Sequence, residues 1–349
     1  MAVKKTFDIE DFGLSIGELQ RGERNKISDV EGVSVGHRTL ASGNVNTGIT
    51  VIQPGECNIF KQKLTAAAHV FNGFGKTSGL VQIDELGQLE SPVVLTNTLC
   101  VGRVHDAVVE YMIKRCEREG MALKSFNPVI GECNDSFLNQ ITKRTLTFDD
   151  VFAAFNATGS DFPEGDVGAG KGTSCHQLKG GIGSSSRLFS IRNRKYVLGV
   201  LVQSNHGLLK DLVINGRRIG REIGEKLKVE QAEEKGSIII VLAADLPVSS
   251  RQLKRICKRT QTGLARLGSF MGHGSGEIVI GFSTAQTDHK KCENLSKVSK
   301  IIRDDELDIS FRAAAEATEE AVLKSMLNAS TVTGYKGNRR YSLREFFEG

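Results

Sequence analysis

No apolar run in this sequence is long enough to cross a bilayer: the longest, Ile238 to Ala244, falls far short of the roughly 20 residues a spanning helix needs. The N-terminus also lacks a hydrophobic leader, since Met1-Ala2-Val3-Lys4-Lys5-Thr6-Phe7-Asp8 turns acidic before any apolar stretch begins. A cytoplasmic protein without membrane contact is the expectation. The seven cysteines contain no CxxC pair and no Cys/His metal spacing, and their odd number argues against a disulfide framework. Free thiols in a reducing compartment follow. The densest basic stretch, Arg251 to Arg259, falls on one helix face without interleaved aromatics, the pattern of a solvated face and not of a nucleic-acid site. No Pro-, Ser- or Gly-rich linker, internal repeat or disordered tract divides the 349 residues, so a single domain over 1–349 is expected. Against only 5 prolines and no tryptophan, 38 glycines point to tight turns and close backbone approach, which suits a site built largely from main chain.

Alternation and turn signals predict short strands near Val33–Val35 and Gly48–Ile52, then a helix from Asp106 to Glu119 that ends before Gly120. Apolar runs at 188–191, 196–203, 212–214, 237–244 and 277–283 read as further strands. Helices are predicted at 250–267, where Leu253, Ile256, Cys257, Leu264 and Leu267 share a face, and at 311–328. This mixture is α+β or layered α/β in character.

Gly165-Asp166-Val167-Gly168-Ala169-Gly170-Lys171-Gly172-Thr173 has the look of a phosphate-binding loop, with the strand ending at Asp245 as its magnesium partner. Such a loop needs a buried strand before it and a helix after it. Here Gly159 to Glu164 precede and the Gly-rich Lys179 to Gly183 follow, and Gly172 replaces the metal-binding hydroxyl. A P-loop NTPase is therefore the alternative reading, together with a non-catalytic binding module.

The pair Gly236-Ser237 opens the apolar strand at 237–244. Alone it reads as a turn-to-strand boundary. The sharper reading is a self-cleaving bond: Ser237 Oγ attacks the Gly236 carbonyl, the ester hydrolyses, and the freed α-amine of Ser237 becomes general base for its own hydroxyl. An α-amine, with a reference pKa of about 7.7 to 8.0, suits that task near neutral pH.

Eight segments in order along the chain carry a resemblance that favours the second reading: Gly32 to His37, Asn72 to Gly75, Leu95 to Thr98, Gly131 to Asp135, Cys175 to Gly183, Gly199 to Asn205, Gly236-Ser237, and Gly274 to Glu277. In these the sequence resembles the L-aminopeptidase/D-esterase (DmpA-like) and β-peptidyl aminopeptidase family of N-terminal nucleophile serine hydrolases. The resemblance implies a four-layer α-β-β-α sandwich, cleaved into 1–236 and 237–349, and an oligomer of such processed heterodimers. It implies that Ser237 is the nucleophile, Asn205 an oxyanion donor, Ser275 and Glu277 the pair that orients the new amine, and Glu132 the carboxylate for the substrate's free amino group. Substrates would be small peptides, amides or esters, and no metal or other cofactor is implied. Asn134 departs from the D-esterase type, which has a tyrosine there, and Phe137 supplies no replacement hydroxyl. His176 and His273 adjoin these segments, although core or turn roles suit them better.

Overall fold

A computed structural model describes residues 6–228, 236–285 and 301–347, with backbone alone at 287–288 and 293–294. The leader reading at 1–5 lies outside the described residues. Ser34–Ser42, Val45–Gln53, Val93–Asn97 and Val129–Cys133 form one sheet in that order. The second sheet has the spatial order Gln88–Leu89, Leu64–Gly73, Gly276–Ser283, Ser237–Ala244, Arg194–Asn205, Gly181–Ile191.

Strand Ser237–Ala244 shows why its sequence is apolar throughout. Ile239, Val241 and Ala243 belong to the core shared with the four-stranded sheet, while Ile238, Ile240 and Leu242 belong to the core under the helices. Both faces are covered, so period-two alternation of polarity has no place. Helices Val101–Arg118 and Phe148–Asn156 cover the outer face of the four-stranded sheet; Ser250–Cys257 and Asp308–Leu327 cover the six-stranded one, with Thr260–Arg266 packed on Asp308–Leu327. The fold is the α-β-β-α sandwich that the resemblance implied. Helix Asp308–Leu327 is tied to strand Gly181–Ile191 by the buried Arg187, which pairs with Glu316 at 3.2 Å and Glu320 at 2.7 Å. Each of these buried charges thus has an opposite partner, which is the condition for holding them in a core.

Several expectations change in detail. The helix expected at 250–267 is two helices, because Thr260 Oγ1 donates to Cys257 O at 2.8 Å and restarts the chain. Its second half is then free to press Gly263 onto helix Asp308–Leu327, where an added Cβ would lie 2.5 Å from Ala315 O. Residues 212–214 are not a strand: they follow a 3-10 turn, and Leu212 and Ile214 are apolar because they are buried. Cys57 is disulfide-bonded, whereas Cys100, Cys116, Cys133, Cys175 and Cys257 are in no disulfide. An odd cysteine count excludes complete pairing, not one bridge, so thiol usage no longer argues for a reducing compartment.

The phosphate-loop look-alike makes no strand-to-helix turn. Gly168–Gly170 is a single 3-10 turn, Lys171 Nζ pairs with Asp166 at 2.8 Å, and Asp245 accepts from Val197 N–H at 2.8 Å. Its glycines serve close packing instead: a Cβ on Gly170 would sit 2.5 Å from Ile182 N. Three cations of the basic stretch are paired locally, Lys254 with Asp84 and both Arg251 and Arg255 with Asp304. Among the described residues, no helix is long and apolar enough to cross a membrane.

Candidate active site

Ser237 begins its strand between two neighbours, with Asn205 as its antiparallel register partner and Gly276 as its parallel one. The residue is 5% exposed, and its Oγ makes no hydrogen bond to any described residue. A buried hydroxyl is ordinarily bonded, so one left open beside a cavity calls for an explanation. The carbonyl of Gly236, on the bond that precedes it, accepts from Gly276 N–H at 3.1 Å. Glycine is required at 236 by sterics alone, since a Cβ would lie 2.4 Å from Asn205 O and 2.6 Å from His206 Cα.

A cavity of about 650 Å³ opens over this strand start and is lined by Ser237, Asn205, Glu132 and Asn134 among others. Asn205 is orientated by its acceptor side, because its Oδ1 takes Ser174 N–H at 2.9 Å. That bond leaves the Nδ2 protons for a ligand. Glu132 is 3% exposed and accepts from Lys76 N–H at 3.0 Å and from Thr98 Oγ1, with no basic side chain paired to it among the described residues. Asn134 Oδ1 accepts from Ser136 N–H at 2.9 Å, so this side chain also keeps its amide donors.

Ser275 and Glu277 are fully buried and joined by a hydrogen bond from Ser275 Oγ to Glu277 Oε1. They flank Gly276, the parallel partner of Ser237, and so lie beside the backbone at the strand start and not in the cavity wall. Asn72 braces this turn, donating to Gly272 O at 2.7 Å and Ser275 O at 2.6 Å.

Cys175, His176 and His206 come together in the interior although their sequence spacing hides it, with ligand-type atoms within 4.8 Å of one another. Burial pushes the His206 imidazole down to about 3, with His176 adding to the effect, and burial also lowers His176. The His206 ring is therefore neutral near neutral pH and cannot supply a charged acid. His176 contacts Leu208 O at 3.0 Å, and of the described histidines only His206 lines the cavity.

Asp135, which follows Asn134 in the chain, is 1% exposed, and burial raises its carboxyl from the ordinary 3.8 to about 7 despite hydrogen bonds from Thr47 and Asn139. A raised folded-state value means the folded protein holds this proton more tightly than the unfolded chain. The contribution is complete below 3.8 and is lost as pH climbs through about 7. Asp135→Asn, which never ionises, should thus gain on wild type as pH rises: its melting temperature relative to wild type should be about 2–5 °C higher at pH 8 than at pH 5. Thermal denaturation at the two pH values checks this, and a constant difference would contradict it.

Sequence reasoning missed Lys76, Thr98, Ser174 and Arg340, all of which line the cavity. Thr98 lies within a segment that carried the resemblance, but its bond to Glu132 depends on parallel pairing of Val93–Asn97 with Val129–Cys133. Nothing in the sequence near Arg340 signals a role.

The description "Peptidase family S58" matches residues 25–340. The "Beta-peptidyl aminopeptidase BapA" of Sphingosinicella xenopeptidilytica is 35% identical over 92% of this chain and 85% of its own length. Among solved structures, the PH0078 protein from Pyrococcus horikoshii OT3 is 41% identical with a TM-score of 0.89, covering 98% of each chain. The L-aminopeptidase D-Ala-esterase/amidase from Ochrobactrum anthropi, described as a new variant among the Ntn hydrolase fold, is 31% identical with a TM-score of 0.87 over 98% of this chain and 96% of that one.

Proposed function

Since the chain belongs to peptidase family S58 and is a serine aminopeptidase, we propose that Ser237 is its nucleophile, made N-terminal by cleavage of the Gly236–Ser237 bond. The observation that carries this reading is the buried, unbonded Ser237 hydroxyl opening onto the cavity that holds Asn205 and Glu132. In processing, Ser237 Oγ attacks the Gly236 carbonyl, whose oxygen is already polarised by Gly276 N–H. The C–N bond breaks to leave an ester on Oγ and a free amine, and water then hydrolyses the ester to a Gly236 carboxylate. The products are 1–236 and 237–349, which remain packed through the shared six-stranded sheet.

In turnover, the Ser237 amine takes the hydroxyl proton as Oγ attacks the substrate carbonyl. Asn205 Nδ2 donates to the oxygen that becomes negative, and the proton passes from the amine to the leaving group. Water then releases the acyl group. The terminal amine is the base, and the buried Ser275–Glu277 pair beside it orients that amine. Glu132 binds the substrate ammonium, which restricts cleavage to the first residue of small peptides, amides or esters.

The test compares an amino-acid amide with its N-acetyl derivative. The free amine should be hydrolysed and the acetylated compound left intact. Glu132→Gln should raise KM for the free amine by about 10- to 100-fold with little change in kcat, since a hydrogen bond to a charged group contributes roughly 1.5–3 kcal/mol. Equal turnover of both compounds, or an unaltered KM in the variant, would remove Glu132 from this role.

A further inference from the structure

The cavity around Ser237 contains a fixed cation that the reaction as described does not use. Arg340 is half-buried on the hairpin of Val332–Thr333 and Arg339–Arg340, and it lines the same cavity as Ser237, Asn205 and Glu132. It is held from two sides. Its guanidinium carbon lies 3.5 Å from the centroid of the Phe137 ring, and its Nε donates to Ser174 Oγ at 3.1 Å. The hairpin is itself tied to the Phe137 loop, through Tyr335 N–H to Leu138 O at 2.9 Å and the Asn338 amide to Phe137 O at 2.8 Å. Ser174 is also the residue whose N–H sets Asn205, so the guanidinium and the oxyanion amide share one support.

This arrangement holds a cation without an anion. Arg187, Arg21 and Arg266 each pair with a carboxylate, but no carboxylate among the described residues pairs with Arg340. Burial lowers its pKa to about 10, which still leaves it charged at neutral pH. With Nε committed to Ser174, neither terminal nitrogen bonds a described residue, and those two nitrogens present a fork that matches a carboxylate. Lys76 also lines the cavity, but it is exposed and lies over the Phe74 ring at 4.6 Å, so it offers a point charge without that geometry.

Position supplies the rest of the argument. Glu132 is reached through the loop at 74–76, which packs against strand Gly276–Ser283, where a Cβ on Gly276 would touch Phe74 O at 2.6 Å. Arg340 is reached through Ser174, which is bonded to the end of strand Arg194–Asn205. These strands flank Ser237 on opposite sides, so a substrate anchored by its ammonium at Glu132 crosses the nucleophile towards Arg340. We infer that Arg340 binds the free carboxylate of the leaving portion of the substrate, which makes short peptides, two or three residues long, the preferred class over amides, esters and long chains. This rests on the roles proposed above for Ser237 and Glu132.

The test uses the processed enzyme with one dipeptide in two forms, the free acid and its C-terminal amide. Wild type should favour the acid by about 10-fold or more in kcat/KM, mainly through KM. Arg340→Gln should bring that ratio to about 1, and Arg340→Lys should leave an intermediate value. Appearance of both fragments in each variant certifies its folding, and the wild-type ratio decides the matter even where a variant fails to fold. A wild-type ratio near 1, or a ratio unchanged in Arg340→Gln, overturns this inference while turnover of both forms leaves the aminopeptidase reading intact. Turnover of neither form by wild type overturns both.

Discussion

Ser237→Ala should accumulate as one uncleaved 349-residue chain and should lose aminopeptidase activity by on the order of 10⁴- to 10⁶-fold. Two losses coincide in this variant. Without Oγ no ester forms at Gly236, and without cleavage there is no terminal amine to act as base. The substitution removes one unbonded buried oxygen from a strand whose other residues are apolar, so folding should be unaffected or slightly favoured. Denaturing electrophoresis and an amide-hydrolysis assay on the same preparation check both losses. A variant that still divides into two fragments, or still turns over substrate, would remove Ser237 from the mechanism.

Asn205→Ala should separate the two events. The Gly236 carbonyl rests on Gly276 N–H, whereas the Asn205 amide is set by Ser174 and makes no hydrogen bond to that carbonyl. Processing therefore has an oxyanion donor that the substitution does not touch. Turnover, which relies on the side-chain amide, should fall by about 10²- to 10³-fold in kcat, the usual cost of one oxyanion-hole donor of about 2.7–4 kcal/mol. KM should change much less, because the donor acts on charge that develops only in the transition state. Two fragments with weak turnover is the expected pattern; an unprocessed chain, or full turnover, would contradict it.

The legible parts of this protein were those in which local chemistry and tertiary demand coincide. Strand Ser237–Ala244 was bounded correctly because an unbroken apolar run between Gly236 and Asp245 has few other uses at that length. Glu132, Asn134, Asn205 and Ser237 were named from segments of the sequence, and the fold brings all four to one cavity. Ser275 and Glu277 were expected on one face, and they do bond each other, but their full burial behind the cavity wall could not be read from spacing. What stayed hidden depends on distant contacts. The joining of Arg340 to Ser174 spans 166 residues of sequence, and the meeting of Cys175 and His176 with His206 needs the turn at 176–177, where both residues have positive φ. The phosphate-loop look-alike was set aside on its sequence context, but its glycines answer a packing requirement that local sequence does not reveal.

The central claim is most directly tested by intact-mass analysis and N-terminal sequencing of freshly purified wild-type protein. The account predicts two fragments, 1–236 and 237–349, with Ser237 as the first residue of the smaller. An intact chain that nevertheless removes N-terminal residues from peptides would contradict it.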